Sequence, residues 1–477
     1  MSEEKMSKEI NDFCERIVSK YQIPGFAIGL AKNGGPYWDK GFGFRNADKQ
    51  LPVTADTVYG IGSITKSFTC VAIMQLQEQG KLSVHDPVVK YIPEFKTPED
   101  EHTKKVTIHH LMTHTPGLPP LPTLYAAMKD SMANDPKIEG QEEPTNEIKA
   151  VNTYDEFLTY LGELDYEFIG EPGTEFSYSN DGYALLGIII NRVSGIEYEE
   201  YIKKYILEPL GMKHTVFHLH ELVDHDNVSI LYDSRKEDEK TIVFESNNPW
   251  DSPSMRAAGF LKSTVNDMLK YAEIYRNNGR YGDTQILTEE SVKHMTTPHI
   301  SCGEEQYYGY GLMITPDFYG HKLVEHGGAI KGVAAQMNIL PEVGLTGVSI
   351  SNLGGVPSTK MLFGAFANEL DQSITESHLT MEEIELTVDE LKEYENTFQS
   401  GEGAKVDFEV EEGQLLIKTT DFTEKLQSVG NDKFALSFRE DKMIIRFIRN
   451  DNGEIIRVAF GFRQIPKAQE QSEHVEV

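Results

Sequence analysis

The residues best suited to chemistry lie in the run G-I-G-S-I-T-K-S-F-T, positions 60 to 69, where Ser63 stands three residues before Lys66. A serine hydroxyl is a weak nucleophile at neutral pH and needs a base within hydrogen-bond reach. If Ser63 opens a helix, the two side chains share one face about one turn apart. A lysine packed into a dry pocket loses its preference for the charged form, so Lys66 can supply that base or help to. A helix N-terminus also offers backbone N–H groups to an oxyanion. Spacing alone does not single out a catalytic pair. Ser2 and Lys5 repeat it in the polar N-terminus, and a serine at a helix start is equally a cap.

Two further motifs follow in chain order. P-G-T-E-F-S-Y-S-N-D-G, positions 172 to 182, carries Tyr178, Ser179 and Asn180 on a Gly-bounded loop just before the apolar helix A-L-L-G-I-I-I. Tyr275 with Asn277 and Tyr394 with Asn396 have the same spacing but read as surface helix residues. E-H-G-G-A-I-K-G carries His326, Gly327, Gly328 and Ala329 at the end of one short strand and before another, and is the only H-x-G in the chain. Its glycines let backbone approach a bound substrate closely.

With these motifs on the page, the chain resembles the serine β-lactamase and penicillin-binding superfamily, in its class C-like branch. That branch pairs S-x-x-K with Y-x-N and often H-x-G, where class A has S-D-N and K-T-G. The likeness covers residues 10 to about 365 and includes H-H-L-M-T-H-T-P-G-L at 109 to 118 and R-A-A-G-F-L-K-S-T-V-N-D-M at 256 to 268. It implies that Ser63 forms an acyl-enzyme, that Lys66 helps remove its proton, and that Tyr178 is a general base or proton relay. It implies too that Asn180 holds a substrate amide or carbonyl and that His326 orients the substrate or tunes Tyr178. The N–H groups of Ser63 and Ala329, with Gly328 alongside, would form the oxyanion hole. A nearby charge on Lys66 would lower the Tyr178 pKa, and which of the two is the working base stays open. His326 in place of lysine removes a fixed charge, which in this family accompanies D-aminopeptidase- or esterase-like members more than strong β-lactamases.

The elements that must position these residues follow the hydrophobic pattern. Residues 7 to 20 read as an amphipathic helix, 25 to 32 and 36 to 44 as strands, and the Ser63 helix runs to about Gly80. A short helix is expected over 107 to 118, with helical patterning at 153 to 163 and 182 to 206, and strands at 322 to 326, 332 to 340 and 345 to 351. The stretch 119 to 150 is rich in Pro, Asp and Glu and reads as an insertion or mobile lid. After a polar, acidic shift at 371 to 385 come alternating segments between 405 and 462 separated by turns, an antiparallel β unit. L-T-V-D-E-L-K-E-Y-E-N-T-F from about 386 resembles the junction into the lipocalin-like domain that follows some hydrolases of this branch, where it covers the active site or drives self-assembly. The tail from Lys467 reads as disordered.

The expected fold is therefore α/β (α+β): a β-lactamase/transpeptidase-like antiparallel sheet flanked by helices with a helical subdomain over 1–370, and an antiparallel, barrel-like domain over 386–466. The expected reaction is acyl transfer to water on D-amino-acid-containing peptides or short carboxylic esters. The rivals are a β-lactamase or DD-peptidase, and a non-catalytic penicilloyl-binding scaffold.

Bulk properties bound the partners. A formal charge of -31 argues against nucleic acid and anionic membrane surfaces. No run reaches the ~20 apolar residues of a membrane span. Three cysteines (Cys14, Cys70, Cys302) and no apolar leader fit a reducing, cytoplasmic setting. Cys70 reads as packing. His110 and His114, and the group His218, His220, Asp224 and His225, read as structural or solvated rather than metal-binding, so neither metal nor cofactor is expected. Partners reduce to a small-molecule or short-peptide substrate, and to self-association through the C-terminal domain.

Overall fold

The computed structural model describes residues 3–136, 148–222, 225–237, 240–376 and 381–468. Its organising element is a nine-stranded antiparallel sheet. The spatial order is Ile300–Gly303, Gln306–Tyr308, Met313–Phe318, His321–Ile330, Val333–Leu340, Leu345–Ser351, Gly25–Lys32, Gly35–Asn46 and Leu51–Pro52. The first strand of the chain thus pairs with Leu345–Ser351, Phe26 facing Ser351, which ties the two ends of this region together. Side chains alternate across a strand. Phe26, Ile28 and Leu30 join the core under the helices Glu3–Lys20 and Ser358–Glu369. Ala27 and Ala31 face the larger core on the other side, where Val265–Arg276 packs on the sheet.

The helix Thr65–Glu78 is buried from Thr65 to Leu76, apolar on nearly every side, as a helix at the centre of a fold must be. A one-turn 3-10 helix, Gly62–Ile64, precedes it, so Ser63 lies just outside the α-helix rather than opening it. The helix Asn180–Ser194 starts at the second motif, with the Ser179 hydroxyl accepting from Gly182 N, and ends on Gly195 at φ 77°.

Several expectations need correction. His326 to Ala329 do not end a strand: they lie inside the ten-residue strand His321–Ile330, paired in register with Val333–Leu340. Tyr275 and Tyr394 are buried, not surface residues. The Tyr275 hydroxyl meets that of Tyr271 at 2.7 Å, and Tyr394 packs on Phe434 and Phe447 with its hydroxyl donating to Asp432. Within 119 to 150, Thr123–Met132 is a helix that buries Ala126 and Ala127; residues 137–147 lie outside the described residues. At the tail, the Lys467 and Ala468 amides still pair with the Ile456 and Thr397 carbonyls, and residues 469–477 lie outside the described residues.

The C-terminal region is an eight-stranded antiparallel sheet in simple chain order, from Asn396–Gln399 to Arg463–Pro466. A bridge between Phe398 and Lys467 brings its two edges nearly together into a barrel around Phe398, Phe408, Phe434 and Phe447. No helix among the described residues is long and apolar enough to cross a membrane.

Candidate active site

Ser63 in the 3-10 turn and Lys66 in the first turn of the α-helix stand three residues apart and share one face. Lys66 Nζ lies 3.1 Å from Ser63 Oγ, 2.8 Å from Asn180 Oδ1 and 2.6 Å from the Ala258 carbonyl. Lys66 is fully buried while Ser63 stays partly open. Burial drives the lysine pKa well below its ordinary value; the charge of Arg463 pushes the same way, and Glu402 opposes it.

Tyr178 closes the other side, with Lys66 Nζ 4.7 Å from its ring centroid. Burial raises its phenol pKa, against the Ser63 hydroxyl and the charge of Arg463, which lower it. The expected lowering by Lys66 is not found.

The third motif supplies the facing backbone. A Cβ on Gly62 would lie 2.7 Å from Ala329 N, and one on Gly328 2.0 Å from the Ile61 carbonyl. Only glycine at both positions lets the Ser63 segment rest on the strand. Gly62 also holds φ 50°, which glycine adopts freely. His326 shares a strand face with Gly328, and its ring centroid lies 6.3 Å from that of Tyr178. Its Nδ1–H donates to the Gly327 carbonyl at 2.6 Å, leaving Nε2 to accept from the Tyr308 hydroxyl at 2.9 Å. Burial holds its pKa down to about 3, so the ring is neutral at physiological pH.

Four contributors escaped the motifs. The His114 ring stacks on Tyr178 at 4.1 Å and its Nδ1 accepts from Ser179 N; it lies within the 109 to 118 run, a signal that was available. Tyr308 holds His326. Glu402 comes from a turn of the barrel and Arg463 from the start of its last strand, which no local pattern marks. Asn180 Nδ2 donates to Glu402 Oε1 at 3.3 Å, Arg463 Nε to Glu402 Oε2 at 2.5 Å, and the guanidinium lies 5.1 Å from the Tyr178 ring centroid. The Phe462 carbonyl accepts from Tyr178 N, and Gln464 N donates to Ser177 Oγ. Asn180 therefore bridges Lys66 to the barrel.

The remaining candidates have structural uses. Cys70 is buried with its Sγ 3.4 Å from the Tyr183 hydroxyl, and burial pushes its thiol up to about 12. The His110 Nδ1 accepts from Thr107 N in a capping box. The His218 and His220 rings stack on each other and Asp224 lies outside the described residues; among the described residues no three His, Cys, Asp or Glu side chains are grouped to hold a metal ion.

A serine beside a buried lysine, packed against an antiparallel sheet flanked by helices, is the arrangement of the β-lactamase fold. Residues 10–363 match the Beta-lactamase family, and the chain belongs to it. It is 28% identical over 350 residues to Protein flp of Staphylococcus aureus (strain MW2), a match covering 72% of this chain. The matched stretch covers 63% of flp, less than two thirds of that curated relative's length. Among solved structures, the octameric penicillin-binding protein homologue from Pyrococcus abyssi is 30% identical with a TM-score of 0.69, covering 96% of this chain and 99% of its own. SurE, solved with D-Leu, shares the fold at 19% identity and a TM-score of 0.67, covering 97% of this chain and 100% of its own.

Proposed function

We propose that the chain hydrolyses acyl compounds through an ester on Ser63. The observation that carries this is the set of three contacts around Lys66 Nζ. A neutral amine has two hydrogens and one lone pair. Asn180 Oδ1 and the Ala258 carbonyl can only accept, so they take both hydrogens. In the structure Lys66 Nζ donates to all three; once the amine has lost its proton, the lone pair falls to Ser63 Oγ, the one partner that can donate. In this reading Lys66 takes the serine proton as the hydroxyl attacks. Tyr178, held as a phenol, passes a proton to the leaving group, and the N–H groups of Ser63 and Ala329 receive the oxyanion. Asn180 and Gly328 align the substrate, and neutral His326 braces the wall through Tyr308.

The substrates that fit are short carboxylic esters or peptides containing D-residues. A neutral His326 offers no fixed charge to a substrate carboxylate, which disfavours efficient β-lactam hydrolysis. The octameric state of the Pyrococcus relative supports self-association of this chain, with residues 1–370 as the hydrolase domain and 386–466 as the barrel domain that closes the site. Three free cysteines fit a reducing, cytoplasmic setting.

The test is a panel of a short-chain nitrophenyl ester, a D-alanyl anilide and a chromogenic cephalosporin, run on the wild type and Ser63→Ala. We expect turnover of the ester or anilide, lost in the variant by at least about 10³-fold. Equal rates in both proteins remove Ser63 from the chemistry. Turnover of the cephalosporin alone favours the β-lactamase reading, and penicillin labelling without any turnover favours the scaffold.

A further inference from the structure

A cavity of about 270 Å³ is walled by Gly60, Ile230, Trp250, Phe260, Ile330 and Val333, among others. It lies near the small end of ligand pockets, roughly 300–1,000 Å³. Three of its walls continue the backbone around the nucleophile. Gly60 stands three residues before Ser63. Phe260 comes two residues after Ala258, whose carbonyl accepts from Lys66. Ile330 directly follows Ala329, on which the Gly62 backbone rests. The walls also meet one another, since a Cβ on Gly60 would lie 3.3 Å from Ile330 Cγ2 and 3.6 Å from Val333 Cγ2.

The lining is mostly apolar, with Tyr59, Ser229 and Asn247 as its uncharged polar members. Side chains of Ile230, Trp250, Phe260, Ile330 and Val333 give it an aliphatic and aromatic surface. Both lysines on its wall are engaged. Lys262 Nζ donates to the Phe217 and Phe260 carbonyls at 2.7 and 3.2 Å. Lys331 pairs with Asp135, which also accepts from Trp250 Nε1 at 2.9 Å. A charged ligand group would have to displace one of these partners, whereas an apolar group displaces none. Phe260 holds φ 80°, a conformation side-chain-bearing residues rarely adopt, and such strain gathers at ligand sites.

We propose that this cavity receives the apolar acyl group of the substrate. It rests on the acyl-enzyme reading: Ser63 Oγ–H and R–CO–X give Ser63 Oγ–CO–R and HX, and R occupies the cavity. The preferred R is a branched alkyl group or a single ring, not a charged side chain and not methyl.

Kinetics and binding test this together. On the full chain, kcat/KM for nitrophenyl phenylacetate should exceed that for nitrophenyl acetate by about tenfold or more, the scale of discrimination an apolar pocket gives. Ile230→Trp, which fills the cavity from a half-buried wall position, should bring the ratio near unity by lowering the phenylacetate rate, with the acetate rate held within twofold. Turnover with no acyl preference, or an unchanged ratio in a folded Ile230→Trp, overturns the pocket and leaves the acyl-enzyme reading standing.

The second measurement needs no catalysis. The chain has two tryptophans, so Trp38→Phe leaves Trp250 as the sole indole reporter. In Ser63→Ala/Trp38→Phe, phenylacetamide should change the Trp250 emission saturably, and acetamide should not. That response supports the pocket even where no ester is turned over, an outcome that would sink only the acyl-enzyme reading. A flat response to both amides overturns the pocket.

Discussion

The floor of the site and its roof are built in different ways. Lys66 and Asn180 stand on helices buried along most of their length, and Gly62 and Gly328 lock the Ser63 turn to the central sheet. Glu402, on a turn of the barrel, and Arg463, at the start of its last strand, are held over Tyr178 and Asn180 by a few polar contacts. The floor places atoms that must be correct to tenths of an ångström, and packing fixes them. The roof brings the charges of Glu402 and Arg463 to bear on Lys66 and Tyr178.

The largest effect that would sharpen this contrast comes from the floor. Lys66→Met keeps a long uncharged side chain in the buried slot but removes the lone pair. We expect kcat to fall by about 10²–10⁴-fold with a small change in KM. In the wild type, kcat/KM should rise with pH along a limb centred well below the ordinary lysine value, because protonated Lys66 has no lone pair to offer. A rate-pH profile with its limb in the ordinary lysine range would contradict the buried, neutral amine. Tyr178→Phe should cost about 10²-fold in kcat while melting normally; full activity would remove the phenol from proton transfer.

Roof substitutions should act differently. Arg463→Ala should raise KM about tenfold and change kcat little, the pattern of lost uniform binding. It should also move the acid limb to higher pH, since it removes a positive charge that helps hold Lys66 neutral and leaves Glu402 unopposed. Glu402→Gln should move the limb the other way. A loss of kcat matching that of Lys66→Met would erase the distinction between floor and roof.

The smallest effect concerns stability. Burial raises the Asp181 carboxyl to about 7, while its partner Thr123 lowers it. A raised carboxyl stabilises the fold below its unfolded value, and that contribution is lost as pH climbs through about 7. Denaturant midpoints should therefore fall between pH 4 and 8, and Asp181→Asn should flatten that slope. An identical slope in the variant would place the pH dependence elsewhere.

The legibility of the two regions differs for the same physical reason. The Ser63 and Lys66 spacing is local, so sequence alone predicts their shared face, and period-two alternation marks most barrel strands. Strand alternation did not reveal that His326 to Ala329 continue a strand, because two glycines read as a break while serving as a close backbone approach. Tyr275 and Tyr394 were misread because a hydroxyl suggests a surface, whereas each finds a polar partner inside. Glu402 and Arg463 were invisible, since their meeting with Asn180 depends on how a second domain docks. His114 lay inside a recognised run, but its stacking on Tyr178 is a tertiary fact.

The most direct test of the central claim is mass analysis of the Ser63 peptide from wild-type protein quenched during turnover of nitrophenyl acetate. The account predicts an acetyl group on Ser63 that forms and decays with the reaction and is absent in Lys66→Met. Continued turnover with an unmodified Ser63 peptide at every quench time would contradict it.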